Sequence, residues 1–145
     1  MDLEQLRELF GRLEKLTGVR DIAYHRIEGG RLNPVLKTHT DILGVEKWKS
    51  VHAQNPVYIE RDRLLRELVR DPRPITVQDV KNDPRSAEEF FLFGIDSILI
   101  LPVTENAAVK GIVVVASIGQ LHEFTDEEVR EAQRLVEGYR EIFRA

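Results

Sequence analysis

The chain has 145 residues, of which 42% are hydrophobic and 32% charged, and its formal net charge is -4. This length and composition predict a single domain over residues 1–145 with one sizeable core, and they argue against a disordered chain. Charges of both signs are interspersed, so we predict no nucleic-acid partner, and the absence of cysteine excludes disulfides, Cys-ligated metals and thiol catalysis.

Nothing in the sequence predicts a targeting or membrane segment. The first residues lack the basic and apolar regions of a signal peptide. The longest strongly apolar stretch, residues 112–116, is far shorter than the ~20 residues that a membrane helix needs. We therefore predict no membrane partner and a cytoplasmic location.

The first predicted element is an amphipathic helix. Its apolar residues recur every three or four positions, with Asp2 as N-cap, Gln5 as capping-box partner and Gly18 as terminator. The pattern then changes to that of two strands, residues 19–27 and 32–39, joined by a turn with two glycines. His25 and His39 fall on these neighbouring strands and could meet, although a surface or hydrogen-bonded strand position is favoured over a ligand role.

The middle segment is less regular. Residues 41–54 hint at one short helix, residues 56–59 are compatible with a short strand, and Asp62 is expected to cap a two-turn helix. A short strand over residues 75–77 follows. Pro84, and Ser86 with Glu89 as a capping box, both resemble helix starts, and this helix is expected to end at Gly94.

Two strongly apolar strands and a long helix complete the chain. Residues 97–103 and 109–117 are apolar at nearly every position, which is typical of strands covered on both faces. A loop over residues 104–108 separates them. Thr125 and Glu128 form the capping box of a last helix that is expected to reach the C-terminus. This order predicts an α+β fold with a central antiparallel sheet of five or six strands.

Five local patterns carry a family resemblance. They are the helix, turn and strand of residues 64–80, the turn Asn82-Asp83-Pro84-Arg85, the strand that follows Gly94-Ile95-Asp96-Ser97, the strand of residues 109–115, and the helix start Phe124-Thr125-Asp126-Glu127-Glu128. In this order and spacing the chain resembles the GAF family. The resemblance implies that the terminal helices cover one face of the sheet, while the middle helices and loops wall a ligand pocket on the other.

The resemblance also narrows the ligand classes. GAF-like free methionine sulfoxide reductases, and GAF domains that attach bilins, use cysteine, which this chain lacks. The family's cyclic-nucleotide signature combines an Asn-Lys pair with a later Phe-x-x-x-Asp-Glu. Here Lys81-Asn82 has the reverse order, and Ser97 stands in place of the final Glu. We therefore expect a non-enzymatic regulatory domain for an unidentified small molecule, with no cofactor, metal ligand or catalytic residue, although an enzyme with a remodelled pocket is an alternative.

The candidate ligand-binding residues are Tyr24, Trp48, Asp79, Phe90, Phe91 and Ser97. Several of them have alternative roles. Trp48 can cover a pocket or fill the core, and Asp79 can hold a ligand or cap a turn. The phenylalanines of residues 90–93 can line the pocket or pack in the core.

The terminal helices offer a second hypothesis. Leu9, Leu16, Leu135 and Ile142 widen their apolar stripes beyond what one sheet face requires. They can pair two copies into a homodimer, or they can be buried within one domain. A ligand-free interaction or dimerisation domain is therefore the alternative function.

Overall fold

A five-stranded antiparallel sheet organises the fold in a computed structural model of the protein, which describes residues 1–38 and 44–144. The strands are β1 (Asp21–Glu28), β2 (Arg31–Lys37), β3 (Ile75–Val77), β4 (Ile95–Glu105) and β5 (Ala108–Ile118), in the order β2-β1-β5-β4-β3. The α-helices are α1 (Leu3–Thr17), α2 (Val45–Gln54), α3 (Arg63–Arg70), α4 (Glu88–Leu92) and α5 (Asp126–Gly138). The predicted α+β class is confirmed, with five strands in the described part of the chain.

The terminal helices α1 and α5 share one face of the sheet, as predicted. Their capping follows the sequence, because the Asp2 carboxylate accepts from the Gln5 backbone N–H at 3.0 Å and the Thr125 hydroxyl accepts from that of Glu128 at 3.1 Å. Apolar side chains of both helices pack with Val113 and Val115 of β5 in one core. Burial of each such side chain stabilises the fold by roughly 1.5–3 kcal/mol before entropy is counted.

The middle helices α3 and α4 cover the opposite face. They pack in a second core with Ile112 and Val114, which alternate along β5 with the two valines of the first core. Because successive side chains of a strand point to opposite faces, the central strands β4 and β5 must be apolar throughout. This is the pattern on which the prediction of a doubly covered sheet was based.

The turn between β4 and β5 is tighter than expected. Glu105 and Ala108 pair across it, so only Asn106 and Ala107 form the turn. Both have positive φ, 53° and 66°. Positive φ at both central positions defines the type I′ hairpin turn, whose twist matches that of the flanking strands.

Four local predictions were wrong. Pro84 starts no helix, because it lies in a turn before α4. Ser86 does not cap α4, because its hydroxyl donates to the Val80 carbonyl at 2.7 Å and Ala87 occupies the N-cap without a side-chain bond. Residues 56–59 form no regular strand but one bridge, between Arg31 and Tyr58. The last helix stops being α-helical at Gly138 and continues as a 3-10 helix from Arg140 to Phe143.

Gln78, the residue that follows β3, forms two side-chain hydrogen bonds with the backbone of Phe124. Its amide donates to the Phe124 carbonyl at 2.9 Å and accepts from the Phe124 N–H at 2.9 Å. This pair of bonds ties the end of β3 to the loop that leads into α5.

None of the helices in residues 1–38 and 44–144 is long and apolar enough to cross a membrane, and the cytoplasmic location stays a prediction.

Candidate functional site

A cavity of about 80 Å³ lies between the sheet and the middle helices. Its floor is the face of β4 and β5 that carries Ile98, Ile100 and Val114. A cavity of this size exceeds the space that one water molecule needs, which is about 10–15 Å³. The predicted pocket side of the sheet is therefore the side on which the cavity is found.

The cavity collects the buried ionisable side chains of the domain. Within the described residues, the buried side chains that are charged or titrate near neutral pH are His25, Lys37, His52 and Asp62, and all four line it. Buried ionisable groups destabilise a fold unless they are paired or neutral, and they concentrate where binding or catalysis needs them. This concentration marks the cavity as the candidate functional site.

Two histidines form one wall of the cavity. His25 on β1 and His52 on α2 approach each other with 3.3 Å between their Nε2 atoms. Burial lowers the pKa of His25 well below its usual 6.5, and the neighbouring His52 lowers it further. Burial also lowers the pKa of His52 to about 4. Both rings are therefore neutral at pH 7, and one Nε2–H donates to the other Nε2.

Aromatic rings hold the histidine pair in place. Trp48, one turn before His52 on α2, contacts His25 and His52 edge-on at centroid distances of 5.1 and 5.3 Å. Phe93 stacks on His52 at 4.9 Å with an interplanar angle of 24°. The buried Nδ1 of His25 has no hydrogen-bond partner among residues 1–38 and 44–144. An unpartnered buried polar atom is unfavourable, so a ligand or water that met it would stabilise the site.

A pair of carboxyl groups stands in another part of the wall. Asp62 caps α3, with the Leu65 N–H donating to its Oδ1 at 3.1 Å. Burial raises the pKa of Glu89 to about 8, and its hydrogen bond with Asp62 raises it in the same direction. Glu89 is therefore mostly protonated at pH 7.

The six predicted ligand-binding residues have different positions. Trp48 and Phe90 line the cavity. Phe91 is 56% exposed on the outer surface, and Asp79 accepts from the Asn82 side chain at 2.7 Å in a surface turn. Their ligand-binding role stays a prediction.

Tyr24 and Ser97 lie away from the cavity. Tyr24 is buried on the terminal-helix face, with its ring 4.8 Å from that of Phe143, because it precedes His25 on β1 and points to the other side. The Ser97 hydroxyl donates to the Gln78 carbonyl at 2.7 Å and accepts from the His122 N–H at 3.0 Å. Both positions are explained by packing and hydrogen bonding within the fold.

The sequence prediction missed His52, Asp62 and Glu89 as parts of one site, whereas Phe93 was named with the phenylalanines that can line the pocket but was not among the six candidates. The spacing of Trp48 and His52 was an available signal, since residues four apart share one face of a helix. Asp62 and Glu89 were interpreted only as capping residues. The suggested meeting of His25 with His39 lies outside the described residues.

Comparison with known proteins agrees with the fold. The structure is similar to a GAF domain/HD domain protein from Geobacter sulfurreducens, with 20% identity, a TM-score of 0.78, and 96% of this chain and 89% of that chain covered. A domain of a putative two-component sensor histidine kinase from Sinorhizobium meliloti 1021 has 15% identity and a TM-score of 0.72, with 99% and 91% covered.

An enzyme is also among the similar structures. Type II free methionine-R-sulfoxide reductase from Thermoplasma acidophilum has 15% identity and a TM-score of 0.72, with 96% of this chain and 89% of that chain covered. No curated protein matches the sequence. The family model described as GAF domain matches residues 3–137. Because this match spans nearly the whole chain, the protein belongs to the GAF domain family.

Proposed function

We propose that the protein is a non-enzymatic regulatory domain that binds a small molecule in the cavity between the sheet and the middle helices. The observation that carries this proposal is that the buried side chains of His25, Lys37, His52 and Asp62 all line one cavity. Apart from Asp21 and Glu89, the other lining residues are apolar. Ligand sites are typically apolar concavities with a few convergent polar groups. Asp62 also stabilises the fold as the N-cap of α3, whereas burial of the two histidines holds them in their neutral forms.

Signal transmission would use the central strands. The side chains of β5 alternate between the cavity, with Ile112 and Val114, and the terminal-helix core, with Val113 and Val115. A ligand that displaces the cavity side of β5 therefore also changes the surface on which α1 and α5 pack. The similarity to a domain of a sensor histidine kinase is in keeping with a regulatory role.

Thiol-based reduction is not part of this proposal. The sequence contains no cysteine. The GAF-like free methionine sulfoxide reductases, by contrast, use cysteine. The similarity to the sulfoxide reductase is at 15% identity, which supports a shared fold only.

Thermal unfolding with a small-molecule library tests the proposal. Ala116 lines the cavity, and Ala116→Leu would fill part of it, whereas Ala53→Leu makes the same change on the exposed side of α2. We expect at least one compound to stabilise the wild-type domain and the Ala53→Leu variant but not Ala116→Leu. A ligand at 100 times its Kd adds about 2.7 kcal/mol to the unfolding free energy. The proposal is wrong if no compound shows this dependence on Ala116.

The dimerisation hypothesis has less support from the packing. Leu9 is fully buried, Ile142 is 8% exposed, and Leu16 and Leu135 pack against the core of the same domain. The apolar width that suggested a second copy is therefore used within one domain. Homodimerisation through the terminal helices stays a prediction, which light scattering of the purified protein can test.

A further inference from the structure

The carboxyl pair separates the cavity from the outer surface. Asp62 and Glu89 line the cavity, and they also line a groove on the outside of the domain between the starts of α3 and α4. Asp62 is 7% exposed. A molecule that passed from the groove into the cavity would therefore contact both carboxyl groups.

No basic side chain neutralises this pair. Across residues 1–38 and 44–144, neither Asp62 nor Glu89 has an ion-pair partner. The arginines along the groove have other contacts: Arg61 lies over the Tyr58 ring, Arg63 pairs with Glu67, and Arg85 pairs with Asp83. Glu88 is the remaining charged residue of the groove.

The other walls of the cavity do not supply a free cation either. Among the described residues, the other ionisable groups that line the cavity are Asp21, His25, Lys37 and His52. Both histidines are neutral at pH 7 because burial lowers the pKa of each ring. The Lys37 ammonium donates to the Thr38 carbonyl at 2.8 Å. Within residues 1–38 and 44–144, neither Lys37 nor a histidine forms an ion pair with Asp62 or Glu89, and Glu89 retains its proton at pH 7.

The remaining lining suits the hydrocarbon part of a cation. Trp48, Phe90 and Phe93 provide apolar aromatic surface against which the carbon atoms of a ligand can be buried. When Nε2 of His25 donates to His52, the unpartnered Nδ1 of His25 is a buried hydrogen-bond acceptor in the wall of the same cavity. This acceptor is a second, independent feature that an N–H donor would satisfy.

We infer that the cavity binds a small organic ammonium ion, with its nitrogen against the carboxyl groups of Asp62 and Glu89 and its carbon atoms against the aromatic wall. This inference rests on the proposed function and specifies its ligand class. On binding, the ammonium ion replaces the proton that Glu89 carries, and that proton is released to solvent. The net charge of the site stays the same, so the two carboxyl groups never carry two uncompensated charges.

Propylammonium, 1-propanol and propionate are suitable probes, since they are similar in size and differ in charge. Binding is followed by amide chemical shifts in NMR spectra of the whole chain at pH 6.5, 7.5 and 8.5. We expect propylammonium to bind more tightly than 1-propanol, and propionate not to bind. Because one proton is released, the affinity for propylammonium should rise about tenfold from pH 6.5 to pH 7.5.

Three variants make the test specific. Glu89→Gln keeps the shape of the protonated side chain but cannot release a proton, so it should weaken binding of propylammonium and remove most of its pH dependence. Asp62→Asn, which retains an N-cap oxygen, should weaken binding as well. Glu88→Gln removes an exposed carboxylate of the same helix turn and should retain the wild-type pH dependence.

The outcomes separate this inference from the proposed function. If 1-propanol binds as tightly as propylammonium at all three pH values, or if Glu89→Gln leaves the pH dependence unchanged, the ammonium inference is wrong and the cavity remains a site for neutral molecules. If propylammonium fails to bind while library compounds stabilise the domain in a way that depends on Ala116, the ligand class alone is wrong. If no probe or compound binds, both proposals are wrong.

Discussion

Acid sensitivity is the property for which the structure gives the clearest magnitude. The pKa of His52 is about 4 in the folded domain and 6.5 in the ordinary unfolded reference. A folded-state pKa below the unfolded one means that the unfolded chain binds the proton first as the pH falls. The contribution of neutral His52 to the unfolding free energy is therefore complete above pH 6.5, and it is lost progressively between pH 6.5 and about 4.

The expected loss is measurable. Between pH 7.5 and pH 5, His52 alone should lower the unfolding free energy by about 2 kcal/mol. Burial lowers the pKa of His25 as well, so this residue contributes in the same direction. Urea unfolding at both pH values measures the change for the wild type and for His52→Gln, which keeps a polar side chain but does not titrate.

The difference between the two pH values isolates ionisation from packing. His52→Gln loses the stacking on Phe93 at every pH, so that loss cancels when its two measurements are subtracted. We expect the wild type to lose about 2 kcal/mol more than the variant on going from pH 7.5 to pH 5. Equal losses in the two proteins would refute the assignment of His52 as a buried, neutral histidine.

Three further predictions concern the hairpin, the sheet and the carboxyl pair. Ala107→Gly should raise the unfolding free energy by up to ~1 kcal/mol in urea denaturation, because Ala107 has a φ of 66°; a loss of stability would contradict the turn assignment. Gly111→Ala should lower the unfolding free energy by about 1–3 kcal/mol, since the added Cβ would lie 2.7 Å from the His25 carbonyl oxygen and from the Tyr24 ring; an unchanged midpoint would contradict this close contact. The pKa of Glu89 is raised to about 8, so wild-type stability should fall as the pH rises from 4.5 to about 8, and melting curves of Glu89→Gln should show a smaller fall.

The fold was predictable because its local signals agree with its packing. Asp2 and Thr125 are N-caps in the structure as in the sequence, and the continuously apolar β4 and β5 lie between two layers of helices. Each of these signals depends on residues close together in the chain. The wrong cap at Ser86 shows the limit of such reasoning, since its hydroxyl bonds to Val80, which no capping rule considers.

The site was only partly predictable because it depends on contacts between distant segments. His25 and His52 are 27 residues apart, and their pairing depends on where α2 lies over the sheet. The direction of the Tyr24 side chain depends on strand phase, which places it on the face opposite to His25. The proximity of Asp62 and Glu89 required the tertiary structure.

The two faces of the sheet differ in a way that supports the choice of functional side. On the terminal-helix face, the buried hydroxyls of Thr17, Ser97 and Ser117 each have a hydrogen-bond partner, so their burial costs little stability. On the cavity face, His52 and Glu89 are held in their neutral forms by burial, and each lowers stability over part of the pH range. Natural folds retain destabilising groups mainly where function requires them. The middle-helix face is therefore where a ligand should be sought, and α1 and α5 form the face that would respond to it.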